Sequence, residues 1–390
     1  LATTGRLLWR HLLAVGIEAT NRLRANLVSL AETHANTNMP AFVGGRAAQP
    51  TTLGHLLGGV IAPMASGERR MESAFAAINR SPLGAGQLAG DVILPDRERQ
   101  AELLGFASPV PNTLDAVMSI EDFVETAEAI AAVMAPIRRL LGEIVAWVRT
   151  DPTSFVLTPE WQTRPEPVNP LLVIPEQIEL LMQELRAIEE LCRAVTFRLR
   201  ESAYGPIGSQ AEFVLATASD LTRGVTVVLD RVGLLLTEGM LINRAFLGNR
   251  AGRGYTTGGD LAVFLMQEES IPPSAARVIA GMVLARVEEQ GLEVSGITQD
   301  MIDSAAMLTI GREIKVEMET LGRFLAPRRF LDRRQVLGAP APPMTREWLV
   351  TERANLGRSE SWLAGAVDSI DAAIARLETA IAAAATDEGE

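Results

Sequence analysis

Apolar positions recur at helical spacing almost from the first residue of the chain. Leu8, Leu12, Ile17, Leu23, Leu27 and Leu30 predict one amphipathic helix from Leu1 to about His34. The segment 36–50 carries Pro40, Gly44, Gly45 and Pro50 and reads as a loop, with a second helix over 52–78. From Phe123 the pattern tightens. Phe123, Ala127, Ile130, Met134, Ile137, Leu141, Ile144 and Val148 alternate in steps of four and three. Ile178, Leu181, Leu185, Ile188, Cys192, Val195 and Leu199 repeat the alternation. Such spacing draws a narrow apolar seam down each helix, as in bundles with shallow crossing angles. Residues 212–247 are apolar on more than one face, which places that segment mid-bundle or at a contact between subunits.

Glycine-rich residues 248–259 mark a domain boundary. Beyond it, short capped helices are expected, one of them with Thr298 as N-cap and Ile297 as the apolar residue before it. Residues 339–343, three of them proline, read as a stiff linker, and 362–385 as a final amphipathic helix. The chain thus divides into a central helical bundle over 1–247, a small C-terminal helical domain over 248–350, and a terminal helix with an acidic tail over 351–390.

Composition agrees with an all-α fold and removes several functions. Hydrophobic residues are 47% and aromatics 5% of the 390 residues, with Ala and Leu, both strong helix formers, abundant. A net charge of −12 argues against nucleic acid or an anionic membrane as partner. The single cysteine, Cys192, excludes an intramolecular disulfide framework and fits a reducing compartment. No signal-peptide pattern and no apolar run of membrane-spanning length is visible, so a cytoplasmic location is expected. No His/Cys/Asp/Glu cluster has metal-ligand spacing, so neither a metal nor a cofactor is expected. The only lysine is Lys315, and any chemistry needing a lysine must use it or a residue outside the chain.

The most specific stretch runs from Met39 to Asp122. It contains Val43-Gly-Gly-Arg-Ala-Ala-Gln-Pro50, then Asn79-Arg-Ser-Pro-Leu-Gly-Ala-Gly-Gln-Leu-Ala-Gly90. Asp96-Arg-Glu-Arg, Ala101-Glu-Leu-Leu-Gly-Phe106 and Asn112-Thr-Leu-Asp-Ala-Val117 follow. The glycines of the second run lack the preceding strand and later acidic residue of a dinucleotide-binding unit. That series, in that order, resembles argininosuccinate lyase, a member of the fumarase/aspartase superfamily, over roughly residues 1–350. The resemblance implies an all-α fold with a long central bundle forming the core of a homotetramer, and a family N-terminal domain upstream of Leu1. It also implies sites assembled from three segments on three subunits, near 43–50, 112–122 and 158–170.

The catalytic positions depart from that pattern. The family's histidine in the first segment is Gly44 here, and the glutamate that partners it falls at Ile174. The family's serine- and lysine-bearing loop is replaced by Gln162, Pro167 and Val168 before the retained Asn169-Pro170. Tyr204 coincides with the family's substrate-contacting tyrosine, and Gln210 stands one place out of register with its glutamine. Catalytic roles therefore fall to Tyr204 and Gln210. Substrate binding falls to Arg46, Asn112, Gln162, Arg164 and Asn169, the arginines being able to grip a carboxylate bidentately. His11, His34 and His55 read as packing residues.

Kept scaffold with replaced catalysts points to an addition, elimination or cyclisation on a small anionic metabolite in specialised metabolism and biosynthesis. The alternatives are an inactive homologue serving as a structural or partner subunit, and an ordinary argininosuccinate lyase.

Overall fold

In a computed structural model of the chain, every residue is described except 1, 44–45, 94–95, 164–172, 204, 206 and 388–390. The first helix, α1 (Ala2–Thr33), leads into an antiparallel ribbon of β1 (Asn38–Val43) and β2 (Arg46–Thr52). Helix α2 (Leu53–Ile78) follows, then β3 (Arg80–Ser81), α3 (Arg97–Leu103), β4 (Ser108–Pro109) and α4 (Thr113–Met118). Helix α5 (Glu121–Thr150) precedes β5 (Phe155–Leu157), α6 (Glu176–Arg200) and α7 (Ala211–Leu234), and β6 (Met240–Ile242) returns to pair with β5. Then come α8 (Arg244–Arg250), α9 (Asp260–Gln267), α10 (Pro273–Glu289), α11 (Gln299–Ile310), α12 (Met318–Leu325), α13 (Pro327–Asp332) and α14 (Pro342–Asp387).

Helices α1, α2, α5, α6 and α7 form the bundle. The two seams behave as their spacing demands: Phe123 through Val148 on α5 and Ile178 through Leu199 on α6 are buried in one core. Ion pairs show the helix directions. Arg24 of α1 pairs with Glu68 of α2, and Arg6 Nη1 donates to Ile78 O at the far end of α2, so α1 and α2 run antiparallel. Arg138 meets Glu189, and Glu128 meets Arg200, so α5 and α6 are antiparallel too. Helix α7 runs parallel to α1, because Trp9 Nε1 donates to Val214 O and Arg22 pairs with Asp230. A second core, from Leu261 to Leu325, is built by α9–α12.

Three expectations need correction. Residues 36–50 are largely the β1–β2 ribbon rather than a loop. Both strands are edges, so Pro40 and Pro50, which sit opposite each other and offer no N–H, are tolerated. The terminal helix begins at Pro342 rather than after a linker, since Pro342 and Pro343 occupy a first turn whose N–H groups have no partner in any helix. Thr298 holds the N-cap position of α11, but its side chain makes no cap hydrogen bond.

Candidate active site

Two ends of the bundle matter. One gathers the end of α1, the ribbon, the start of α2 and the end of α5 with β5. The other gathers the starts of α1, α5 and α7 with the ends of α2 and α6. At 1.5 Å per residue, the 32 residues of α1 hold these ends roughly 48 Å apart.

The candidate residues divide between the ends. Arg46 is exposed on β2, paired across the ribbon with Val43. Gln162 lies at the same end, half-buried, and its Nε2 donates to Leu157 O at 2.9 Å. Asn112 lies at the other end as the N-cap of α4, its Oδ1 accepting from the N–H groups of Leu114 and Asp115 at 2.8 and 3.3 Å. Gln210 is there too, its Oε1 accepting from Arg198 Nε at 2.9 Å. Tyr204, Arg164 and Asn169 lie outside the described residues, as does Gly44. Ile174 pairs with Thr163 through two backbone hydrogen bonds of 2.9 and 3.0 Å. One chain therefore brings together neither Arg46 with Asn112 nor Gln162 with Gln210.

Charged residues absent from the candidate set hold the second end. Asp122 pairs with Arg6 at 2.6 Å and with the half-exposed Arg80 at 3.6 Å. Burial lowers the Arg6 guanidinium below its usual range, and Asp122 works against that. Arg10 donates to Asn79 Oδ1 at 2.8 Å, Gly105 O at 2.6 Å and Leu104 O at 3.2 Å, and its guanidinium lies 4.8 Å from the centre of the Phe106 ring. It thereby ties two of the distinctive sequence runs, Asn79–Gly90 and Ala101–Phe106, to α1. Within the first of those runs Gly86, at φ +59°, turns the chain so tightly that a Cβ would fall 2.7 Å from Gly90 O. Arg6 and Arg10, four residues apart on an otherwise apolar helix face, were the signal the sequence offered for this anchoring.

His34 and His55 are held in structural contacts. His34 is buried, with Nδ1 2.9 Å from Thr37 Oγ1, and burial together with Arg244 pushes it down to about 4. His55 has Nδ1 2.9 Å from Thr51 Oγ1 and Nε2 3.1 Å from Gly338 O. A carbonyl only accepts, so Nε2 carries a proton and the ring is held by both nitrogens. Burial pushes the Cys192 thiol up to about 12, which makes it inert. Among the described residues no group of three or more His, Cys, Asp or Glu could hold a metal, and no helix is long and apolar enough to cross a membrane.

A family profile described as lyase matches residues 1–171. Argininosuccinate lyase of Methanosarcina acetivorans is 29% identical over 391 aligned positions, covering 97% of this chain and 75% of that protein. Argininosuccinate lyase of Methanocorpusculum labreanum is 30% identical, covering 89% of this chain and 69% of its own length. The chain belongs to the argininosuccinate lyase family. Among solved structures, this argininosuccinate lyase relative superposes on an EDDS lyase variant with bound fumarate at a TM-score of 0.84. The two are 25% identical, with 96% of this chain and 74% of that one covered. It also shares its fold with 3-carboxy-cis,cis-muconate lactonizing enzyme from Pseudomonas putida, at a TM-score of 0.67 and 16% identity over 90% of this chain and 73% of that one. The chain is thus an argininosuccinate lyase-like member of the fumarase/aspartase superfamily, with its mostly helical fold.

Proposed function

We propose that this chain is a lyase-type enzyme acting on a small anionic metabolite at sites completed between copies of itself in a homotetramer. The observation that carries the reading is the length of the bundle. Arg46 and Gln162 stand at one end, Asn112 and Gln210 at the other, and only a neighbouring chain running the opposite way brings the two sets together.

Apolar surface supports such an assembly. Val227 and Leu234, 50% and 49% exposed, lie seven residues apart on α7, a spacing that suits packing against another helix, and Leu241 on β6 is 64% exposed. Val92 and Ile93, beside the Asn112 segment, are 93% and 83% exposed. In the assembled site the Arg46 guanidinium, with Arg164, would grip a substrate carboxylate. Amide groups of Gln162, Asn169 and Gln210 and the Tyr204 phenol would orient the substrate and meet developing negative charge. A structural neighbour solved with fumarate bound supports a dicarboxylate-sized substrate.

The reaction is an addition, elimination or cyclisation other than argininosuccinate cleavage, in cytoplasmic specialised metabolism, because Gly44 and Ile174 replace the family's histidine and glutamate, and Gln162, Pro167 and Val168 replace its serine- and lysine-bearing loop. We read the bundle over 1–247, the small domain over 248–350 and the remaining C-terminal segment as its three parts. A second reading, a partner subunit completing an active homologue, draws on the same separation of the two ends.

The test is to follow fumarate by its ultraviolet absorbance with the purified protein and either argininosuccinate or EDDS. In parallel, mass spectrometry would follow compounds consumed from an extract of a strain lacking the gene. Consumption of another compound, weakened by Arg46→Ala and Tyr204→Phe, is expected. Efficient argininosuccinate cleavage would overturn the altered chemistry, and no turnover by an intact oligomer would overturn the enzyme.

A further inference from the structure

Helix α14 runs back along the bundle as a strap. Its Arg353 pairs with Glu32 at the ribbon end of α1, and its Arg376 meets Glu102 of α3, towards the other end, at 3.7 Å. Ala373 packs there against Gly105, where a Cβ would fall 3.0 Å away. The seam that α14 turns to the bundle reads Thr345, Leu349, Glu352, Leu356, Ser359 and Leu363, all buried and spaced in steps of four and three. A helix held by packing alone would be apolar along such a seam. Glu352 and Ser359 interrupt it midway.

Those two positions meet buried polar groups of α1 and α2. Arg24 of α1 donates to Glu68 of α2 and, at 3.4 Å, to Glu352. Ser359 Oγ donates to Glu68 Oε1, and Asn21 Nδ2 of α1 donates to Ser359 Oγ at 3.0 Å. One turn along α2, Glu72 pairs with Arg358 of α14 at 3.3 Å and lies in hydrogen-bond contact with Glu68. The residues of α5 against α2 here are Ala132 and Val133, which carry no charge. The carboxyl groups of Glu68, Glu72 and Glu352 thus outnumber the guanidinium groups of Arg24 and Arg358, and Arg24, 1% exposed, must balance both Glu68 and Glu352. Glu72 Oε1 is buried and accepts from no described group, so it lacks the donor that a protonated Glu68 supplies. Burial, with Glu72 beside it, pushes the Glu68 carboxyl up to about 7, against Ser359 and Arg24.

We propose that α14 is a proton-controlled strap, held to the bundle while Glu68 and Glu72 share one proton and loosened when that proton leaves. Its loss to water puts two carboxylates in contact on one face of α2, with an excess of negative charge buried under α14. Undocking α14 exposes both carboxylates to water, where ionisation carries no such cost, so the ionised chain favours release. The Glu68 carboxyl titrates near 4.5 in water and about 7 in place. The docking strength that its proton contributes is therefore complete below about 4.5 and declines as pH rises through 7. Apolar residues at Glu352 and Ser359 would hold the seam without any response to pH. Release frees α3, which leads into the Asn112 segment, whichever reaction the assembled site performs.

The experiment is hydrogen exchange by mass spectrometry on the full chain at pH 6 and pH 8.5, with intrinsic exchange rates divided out. Protection over residues 345–363 should fall about tenfold between the two, the ratio that titration near 4.5 and 7 sets, while α6 changes less than about twofold. Glu68→Gln keeps the shape and removes the titration, so protection of α14 should agree at the two pH values within about twofold. Glu72→Gln removes the like charge and lets Glu68 ionise in place, so the fall should shrink below about threefold. Infrared spectra of the wild type should show a neutral carboxyl band at pH 6 that fades by pH 8.5 and is missing from Glu68→Gln. Protection of α14 that ignores pH in the wild type overturns the inference, as does a tenfold fall that persists in both variants. An equal fall in α6 overturns it too, since the loosening would then belong to the whole bundle. Should both variants fail to fold, the wild-type band decides alone, and its absence at pH 6 refutes the shared proton.

Discussion

Arg10→Met should loosen one end of the bundle and leave the rest intact. Arg10 is 5% exposed and faces neutral acceptors: Asn79 Oδ1 and the carbonyl oxygens of Leu104 and Gly105, at 2.6–3.2 Å. Burial lowers it to about 10, so it remains charged at neutral pH. Hydrogen bonds from a charged donor contribute roughly 1.5–3 kcal/mol each, and losing three would orphan three acceptors. Removing the cation also relieves its desolvation, which offsets part of that loss. Methionine retains most of the stem and its packing. The net expectation is a destabilisation of about 2–4 kcal/mol, within the range of a broken buried network. Urea denaturation measures the total, and hydrogen exchange by mass spectrometry locates it. Exchange should accelerate across residues 79–118 while α6 keeps its protection. A loss below about 1 kcal/mol, or faster exchange spread evenly over the bundle, would refute the claim that Arg10 anchors those runs.

Asp260 is 2% exposed and accepts from Arg333 and Arg334 at 2.5–2.7 Å. Asp260→Ala should cost about 3–5 kcal/mol, concentrated in α9–α13, since it strands two guanidinium groups; a thermal melt unchanged from wild type would refute this. Burial, reinforced by Glu72, raises the Glu68 carboxyl from 4.5 to about 7, against Ser359 and Arg24, which lower it. The folded chain then holds a proton that the unfolded chain has released, so stability should fall as pH rises from about 4.5 through 7, by at most about 3 kcal/mol. Glu68→Gln should flatten that slope in denaturation series across pH, and an unchanged slope counts against the assignment. Finally, Arg46→Ala and Gln210→Ala chains, each impaired alone, should regain activity when mixed under conditions of subunit exchange. No regain on demonstrated exchange would mean that the two residues serve one site within one chain or none at all.

The seams of α5 and α6 were legible because burial there follows a local period. The segment 212–247 was legible only in part. Helix α7 ends at Leu234 and a single π turn, Leu235–Gly239, leads into β6. Gly239 lies so close to the Trp161 indole that a Cβ would fall 2.5 Å from Nε1, a contact across nearly eighty residues that no periodicity announces. The site was less legible for the same reason. The family resemblance marked Asn112, Gln162 and Gln210 as polar groups in or near its segments, but each amide oxygen or nitrogen has a structural partner chosen by the fold: the α4 N-terminus, Leu157 O and Arg198. Arg24 and Glu68, meeting Ser359 and Glu352 of α14 under 10% exposure, were equally invisible as a network, since its members come from three distant helices.

The same bundle that separates the two halves of the proposed site also sets how accurately they can be rejoined. Sliding one helix past another by a heptad moves it roughly 10 Å, since seven residues rise 1.5 Å each. Reacting groups tolerate misplacement of only about 1 Å before rate suffers. The short stripe of Val227 and Leu234 on α7 would pack equally well in more than one such register if it acted alone. Charges flanking it remove that freedom: Arg231 is held by Glu184 on α6, and Arg22 of α1 by Asp230, so the stripe is bordered by fixed ion pairs rather than by mobile side chains. A neighbouring chain offset by a heptad would press apolar residues onto those pairs and desolvate them without a new partner. On this reading the ion pairs contribute little to the stability of one chain, being half-exposed, and act instead by fixing the register in which Arg46 of one copy meets Gln210 of another. Arg231→Met should then leave the melting temperature of the bundle nearly unchanged while lowering activity, and an activity that survives with the assembly intact would show that register is set elsewhere.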